Sequence, residues 1–205
     1  MADYSAIAEE TLTKVNAYVE STDWKPWKTS KGMEIVYKPS SDFKGNVYKT
    51  MYELDAPREK ILELIWDLKQ HEKWETALKG GMECVEQIRE NLMVIRSVSA
   101  PLLKGLVSAR DFIDLLGYKY YPEKNLILIY WTGVEHPKYK DTVKGCVRAN
   151  TYPSAIYLYP AEGDGKKTRG VNIFQLEGHL VPKTLTERFI PDLQFDWYHD
   201  IKKVL

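Results

Sequence analysis

The last stretch of the chain, VPKTLTERFIPDLQFDWYHDIKKVL, returns to an apolar side chain every four residues: Leu185, Phe189, Leu193, Trp197, Ile201 and Leu205. That spacing puts all six on one face of an α-helix. A helix so long and so apolar on one side needs an extended hydrophobic surface to lie on, which restricts the rest of the fold. Pro191 has no amide hydrogen to give, so a kink or a restart is expected there.

The remainder of the chain reads as the partner surface. From Met82 to Gly178 the sequence is strand after strand: MECVEQI, LMVIRSVS, DFIDLLGYKYY, NLILIYWTG, GCVRANTYPSAIYLYP and GVNIFQLEG. Short turn-like segments such as Pro122-Glu123-Lys124-Asn125 and Gly163-Asp164-Gly165 separate most of them. Antiparallel strands need only short turns, whereas parallel strands need long crossovers. Two more strands, GMEIVYKPS and GNVYKTMYEL, precede a helical segment, APREKILELIWDLKQHEKW, with Pro57 in a first-turn position. Ile7, Leu12, Val15, Tyr18 and Val19 mark an N-terminal helix. The expectation is an α+β fold, a curved antiparallel sheet around a long C-terminal helix with a cavity between them. No repeat or linker divides residues 1–205, so one domain is expected.

Lys+Arg and Asp+Glu are both 29, so no global field draws the chain to nucleic acid. The two cysteines, Cys84 and Cys146, read as free thiols of a reducing compartment. MADYSAIAEETL has neither the basic start nor the apolar core of a secretory signal, and no apolar run reaches the ~20 residues of a membrane span. A cytoplasmic location is expected.

Catalytic and metal-binding patterns are absent. His71, His136, His179 and His199 lack the spacing of paired zinc ligands. There is no G-x-S-x-G, P-loop or G-x-G-x-x-G. A binder without metal, cofactor or catalytic residues is therefore favoured over an enzyme.

Several segments resemble the StAR-related lipid transfer (START) domain family over nearly the whole chain: KWETALKGGMECVEQI, SARDFIDLL after a loop, VEHPKYKDTVKGCVRA, and LEGHLVPKTLTERFIPDL. The most specific piece is Ser108-Ala109-Arg110-Asp111-Phe112 followed later by Cys146-Val147-Arg148-Ala149. The wording looks most like the small stand-alone members, several of which carry sterols. The resemblance implies a helix-grip fold, a nine-stranded antiparallel sheet wrapped around the C-terminal helix, with a lipid in the tunnel beneath a gating loop. It also implies a monomeric carrier that touches membranes transiently and does no covalent chemistry.

Carried onto this sequence, the gate is SAPLLKGLVS, with Pro101, Leu102, Leu103, Gly105, Leu106 and Val107. In the steroidogenic branch a buried Glu–Arg pair lies in the tunnel; counting from the RDF motif puts those positions at Ser97 and Leu116, so the charged pair is missing here. Strand alternation places Asp114 on the face of Leu116. Asp114 either points outward into solvent or points inward, and inward it requires a basic or hydroxyl companion, with Arg96 or Ser97 as the neighbour. Thr132 is a second candidate for a sterol hydroxyl. Trp131, Tyr152, Phe174, Leu185, Phe189 and Leu193 are expected to complete the lining. Arg110 and Asp111 read as an anchor holding the loop ends by charge-assisted hydrogen bonds. Two alternatives remain. Trp131, Tyr130, Tyr152 and Tyr157 would cage the choline of phosphatidylcholine, or the tunnel would serve a helix-grip enzyme as its active site.

Overall fold

The computed structural model describes residues 2–30, 32–78, 80–101, 105, 107–161, 166–177 and 183–205, with the side chains of 183–188 left out. Helix α1 (Tyr4–Glu20) opens the chain, its first turn capped by the Asp3 carboxylate, which accepts from the Ser5 and Ala6 amides at 3.1 Å each. Strands β1 (Lys25–Ser30), β2 (Met33–Pro39) and β3 (Asn46–Leu54) follow, then helices α2 (Arg58–Trp66) and α3 (Leu68–Trp74). The helix read across 57–74 is broken at Asp67, which leaves helical geometry and caps α3 by accepting from the Lys69 and Gln70 amides. A 3-10 turn (Thr76–Leu78) leads into β4 (Met82–Arg89), β5 (Leu92–Val98), β6 (Arg110–Tyr121) and β7 (Leu126–Gly133). The expected strand 145–160 is three pieces: β8 (Val147–Arg148), β9 (Asn150–Thr151) and β10 (Ser154–Pro160). Then come β11 (Thr168–Phe174), β12 (Leu176–Glu177) and α4 (Lys183–Lys202), whose assignment runs unbroken through Pro191.

Nine strands form one open antiparallel sheet in the order β1-β2-β3-β11-β10-β7-β6-β5-β4. A tenth, β8, pairs in parallel with the start of β6 at Arg110 and Asp111. Strand β1 was not legible as a strand: KPWKTS carries a proline and two lysines, and five of its six residues are exposed. Those are the marks of an edge strand protected against further pairing.

Alternation sorts the side chains between two cores. The inner face contributes Ile35, Tyr52, Ile95, Phe112, Leu116 and Ile156, which pack with α2, Trp74 of α3 and α4. The outer face contributes Val94, Ile113, Leu115, Leu128, Tyr130 and Tyr157, covered by Ala8, Leu12 and Val15 of α1. Helix α4 presents Phe189, Ile190, Leu193, Trp197, Tyr198 and Ile201 to the inner face. Leu205 lies beyond the helix and is exposed, so the apolar stripe ends at Ile201. Hydrogen bonds fasten the C-terminal half of α4, among them one from the Thr76 hydroxyl to Asp200. The Thr76 amide donates to the Asp200 carboxylate at 3.0 Å, and the Tyr198 hydroxyl donates to the Glu53 carbonyl at 3.1 Å.

Candidate functional site

Between the inner face and α4 lies a cavity of about 200 Å³. Phe112, Leu116, Trp131, Ile156, Phe189 and Leu193 make up much of its wall, and Ile65, Leu78 and Met82 close one side. Strand β6 supplies a whole row, because Arg110, Phe112, Asp114 and Leu116 share one parity. Asp114 is 6% exposed and points into this apolar space. Burial pushes its carboxyl up to about 6, against the opposing pull of a hydroxyl hydrogen bond from Thr151 and the field of Arg148. The required companion is therefore a hydroxyl, Thr151, delivered by the short strand β9 from across the sheet rather than by β5.

Of the residues expected to line the site, Ser97, Asp114, Leu116, Trp131, Phe174, Phe189 and Leu193 do so, as does Val107. Arg96 does not. It pairs in register with Ile113, whose side chain belongs to the outer core, and its guanidinium binds Asp111 there and stacks on Tyr139 at 4.8 Å. Thr132 is likewise corrected: it sits opposite Leu115, on the outer side, one residue out of phase with Trp131. Tyr152 lies outside the lining, stacked on Phe43 at 4.5 Å with its hydroxyl donating to Glu177 at 3.0 Å. Tyr130 and Tyr157 are in the outer core, so the four aromatics of the choline alternative do not converge. The side chain of Leu185 falls outside the described residues, as do Leu102, Leu103 and Leu106.

The rest of the expected gate is partly in view. Pro101 is exposed, and Gly105 has φ +90° with open space where a side chain would begin, a conformation that favours glycine. Val107 is buried against the cavity. The two ends of this segment are closed together. The Ser99 amide donates to the Arg110 carbonyl at 2.8 Å, and the Arg110 amide donates to the Ser99 hydroxyl at 3.0 Å. The Arg110 guanidinium donates to the Ser108 carbonyl at 2.7 Å.

Arg110 and Asp111, adjacent on a strand, point to opposite faces, so they are not one fastener. Arg110 belongs to the cavity wall, where burial draws its pKa down. Arg110 thus touches loop and cavity together. Asp111 is the true clamp on the outer side. Its fully buried carboxylate accepts two hydrogen bonds from Arg96 at 2.8 and 2.9 Å and one from the Val143 amide at 2.9 Å, with Arg148 at 3.3 Å. Burial alone would raise this carboxyl; the Arg96 hydrogen bonds, the Val143 amide and Arg148 hold it below the usual range instead.

Among the polar lining residues that escaped the sequence reading are His71, Glu75, Thr151, Asn172 and Gln194. The signal for Gln194 was present, since it stands three and four residues before Trp197 and Tyr198, a polar residue in the apolar stripe. Asn172, in the interior of a strand rich in apolar neighbours, was legible on the same ground. His71 is engaged at both ring nitrogens, by the Ile65 carbonyl at 3.0 Å and Glu75 at 2.6 Å.

The sequence model of the START domain matches residues 5–201. StAR-related lipid transfer protein 5 of mouse (Mus musculus) is 30% identical, covering 98% of this chain and 92% of its own. Human (Homo sapiens) StAR-related lipid transfer protein 6 is 28% identical, covering 92% and 86% respectively. The solved structure of human StAR-related lipid transfer protein 5 superposes with a TM-score of 0.90 at 26% identity, covering 98% of this chain and 95% of that one. The described helices include none long and apolar enough to cross a membrane. In sequence and in fold alike, the chain belongs to the START domain family.

Proposed function

We propose that this protein is a lipid carrier that takes one sterol into the cavity between the sheet and α4 and moves it between membranes. The observation that carries the reading is the cavity itself, an apolar chamber with a few polar groups set into its wall, the pattern of small-molecule sites. The names of the matched relatives, lipid transfer proteins, agree with it. A sterol is favoured over phosphatidylcholine because one hydroxyl needs one polar contact, which Asp114 with Thr151 and Ser97 offers, while no aromatic cage assembles around Trp131. A carrier is favoured over an enzyme because His71, paired with Glu75, has both ring nitrogens occupied.

Each buried CH₂ contributes about 0.8 kcal/mol, so a sterol's two dozen or so carbons supply on the order of 15–20 kcal/mol before the costs of association. Leaving a bilayer forfeits nearly the same amount, so exchange is close to neutral and the barrier controls the rate. At about 200 Å³ the cavity is smaller than the roughly 300–1,000 Å³ of drug-sized pockets. Loading therefore requires part of the wall to yield. The segment closed between Ser99 and Arg110, with Val107 on the cavity and Gly105 free to bend, is the proposed gate and membrane contact. The carrier works in this reading as a cytoplasmic monomer.

Leu193→Asp sets a carboxylate into the wall, where desolvation opposes it. Sterol transfer between donor and acceptor vesicles, with the thermal midpoint followed in parallel, is expected to slow by roughly ten-fold or more. Transfer at the unmodified rate by a folded variant would count against the cavity as the site.

A further inference from the structure

Two parts of the cavity wall are held by one short turn. The 3-10 turn Thr76–Leu78 joins α3 to the approach of β4, and its Ala77 and Leu78 line the cavity. On one side it holds α4. The Thr76 amide and the Thr76 hydroxyl both donate to Oδ2 of Asp200, while Lys203 donates to Oδ1 at 2.8 Å. Asp200 is 5% exposed, and a carboxylate so buried depends on its donors. Three residues earlier on the helix, Trp197 meets Trp74 of α3 edge to face at 6.1 Å.

On its other side the same turn holds the start of the segment between Ser99 and Arg110. The Ala100 amide donates to the Ala77 carbonyl at 2.8 Å, one residue along from Thr76. The chain leaving the turn is seamed to the end of β5. The Gly80 amide donates to the Val98 carbonyl at 3.0 Å, and the Val98 amide to the Gly81 carbonyl at 2.9 Å. A Cβ at Gly80 would stand 2.3 Å from Val98 Cγ1, so this close approach requires glycine. Ser99 and Val107 line the same cavity as Ala77 and Leu78. The Tyr198 fastening of α4 leads elsewhere: its acceptor, the Glu53 carbonyl, is on β3, four strands across the sheet from β6.

We propose that the turn Thr76–Leu78 is a mechanical link between α4 and the gate, with Asp200 and Thr76 as positioning residues that keep the first end of the gate closed while α4 is seated. The role of that segment as a gate rests on the proposed function; the link itself needs no lipid. Displacing α4 withdraws Asp200 from Thr76, the turn loses its support, and the Ala77 carbonyl is no longer held against Ala100. Opening at either place lowers the cost of opening at the other, because a coupling between two sites acts equally in both directions.

Native-state hydrogen exchange on the lipid-free protein tests the link. Asp200→Ala and Tyr198→Phe each release α4 from one partner, both from the helix side, and the amides of β7 report any change in global stability. In Asp200→Ala, exchange at α4 and at Val98 and Ala100 is expected to quicken about ten-fold relative to β7, the worth of a hydrogen bond to a charged group. In Tyr198→Phe, α4 quickens while Val98 and Ala100 stay within roughly two-fold of the wild type. Thr76→Val, which leaves α4 itself unaltered, gives the pattern of Asp200→Ala, and Thr76→Ser, which keeps the hydroxyl, does not. Unchanged exchange at Ala100 in Asp200→Ala and Thr76→Val overturns the inference, as does equal acceleration there in Tyr198→Phe. Sterol transfer between vesicles is followed on the same variants. Faster exchange at Ala100 with no gain in transfer rate upholds the link and overturns the gate reading, so the two fail separately.

Discussion

Asp111→Ala is expected to cost the protein about 3–5 kcal/mol, the range for removing one partner of a buried ion pair. For a chain of this size that is a fall of roughly 10 °C in thermal midpoint. The carboxylate is fully buried and joins three parts of the chain: Arg96 on β5, the Val143 amide in the loop after β7, and Arg148 on β8. Arg148 in turn donates to the Tyr139 and Asp141 carbonyls at 3.0 Å each, so the same loop loses a second support when Arg148 is freed. Because the folded pKa of Asp111 is depressed, its contribution is present above the unfolded value near 3.8 and is lost as pH falls through the folded one. A midpoint within 2 °C or so of the wild type would show that the clamp contributes little.

Asp114 should behave in the opposite sense. Its carboxyl is raised from 3.8 to about 6, first by burial, so between those values the folded state holds a proton that the unfolded state has lost. Stability from this group is complete below about pH 4 and declines as pH rises to about 6. Above that it stays lower by about 3 kcal/mol, at 1.36 kcal/mol per unit. Asp114→Asn keeps an oxygen for the Thr151 hydroxyl and removes the charge. In urea unfolding at pH 7.5 and pH 4.5, the gain of Asp114→Asn over the wild type should be larger at the higher pH by about 2 kcal/mol, since part of the effect is already lost at pH 4.5. Comparing differences between the two proteins cancels the other titrating groups. An equal gain at both pH values would mean that Asp114 titrates as an ordinary exposed carboxylate.

Much of this was readable before any coordinates, for reasons specific to each element. The four-residue stripe of α4 has one interpretation, and only a broad sheet can receive it. On β6 the shared parity of Asp114 and Leu116 was legible, while the face they take was left open and is given by the structure, which puts both on the cavity. The misplacements came from parity errors between strands. Thr132 and Arg96 each lie one residue from a true lining position, beside Trp131 and Ser97, and a one-residue slip exchanges the faces. Thr151 was out of reach because β9 is only two residues long and approaches through irregular chain. The Arg110-Asp111 pair was read as one unit because adjacency in sequence was taken for proximity of side chains, although neighbours on a strand point apart. Gln194 was passed over because attention went to the apolar members of its stripe.

The central claim is that the cavity between the sheet and α4 holds one sterol. Native mass spectrometry of the protein after incubation with vesicles containing both cholesterol and phosphatidylcholine tests it most directly. The account predicts a bound species heavier than the free chain by one sterol, reduced in Leu193→Asp. A chain that stays at its free mass, or that carries phosphatidylcholine instead, would contradict it.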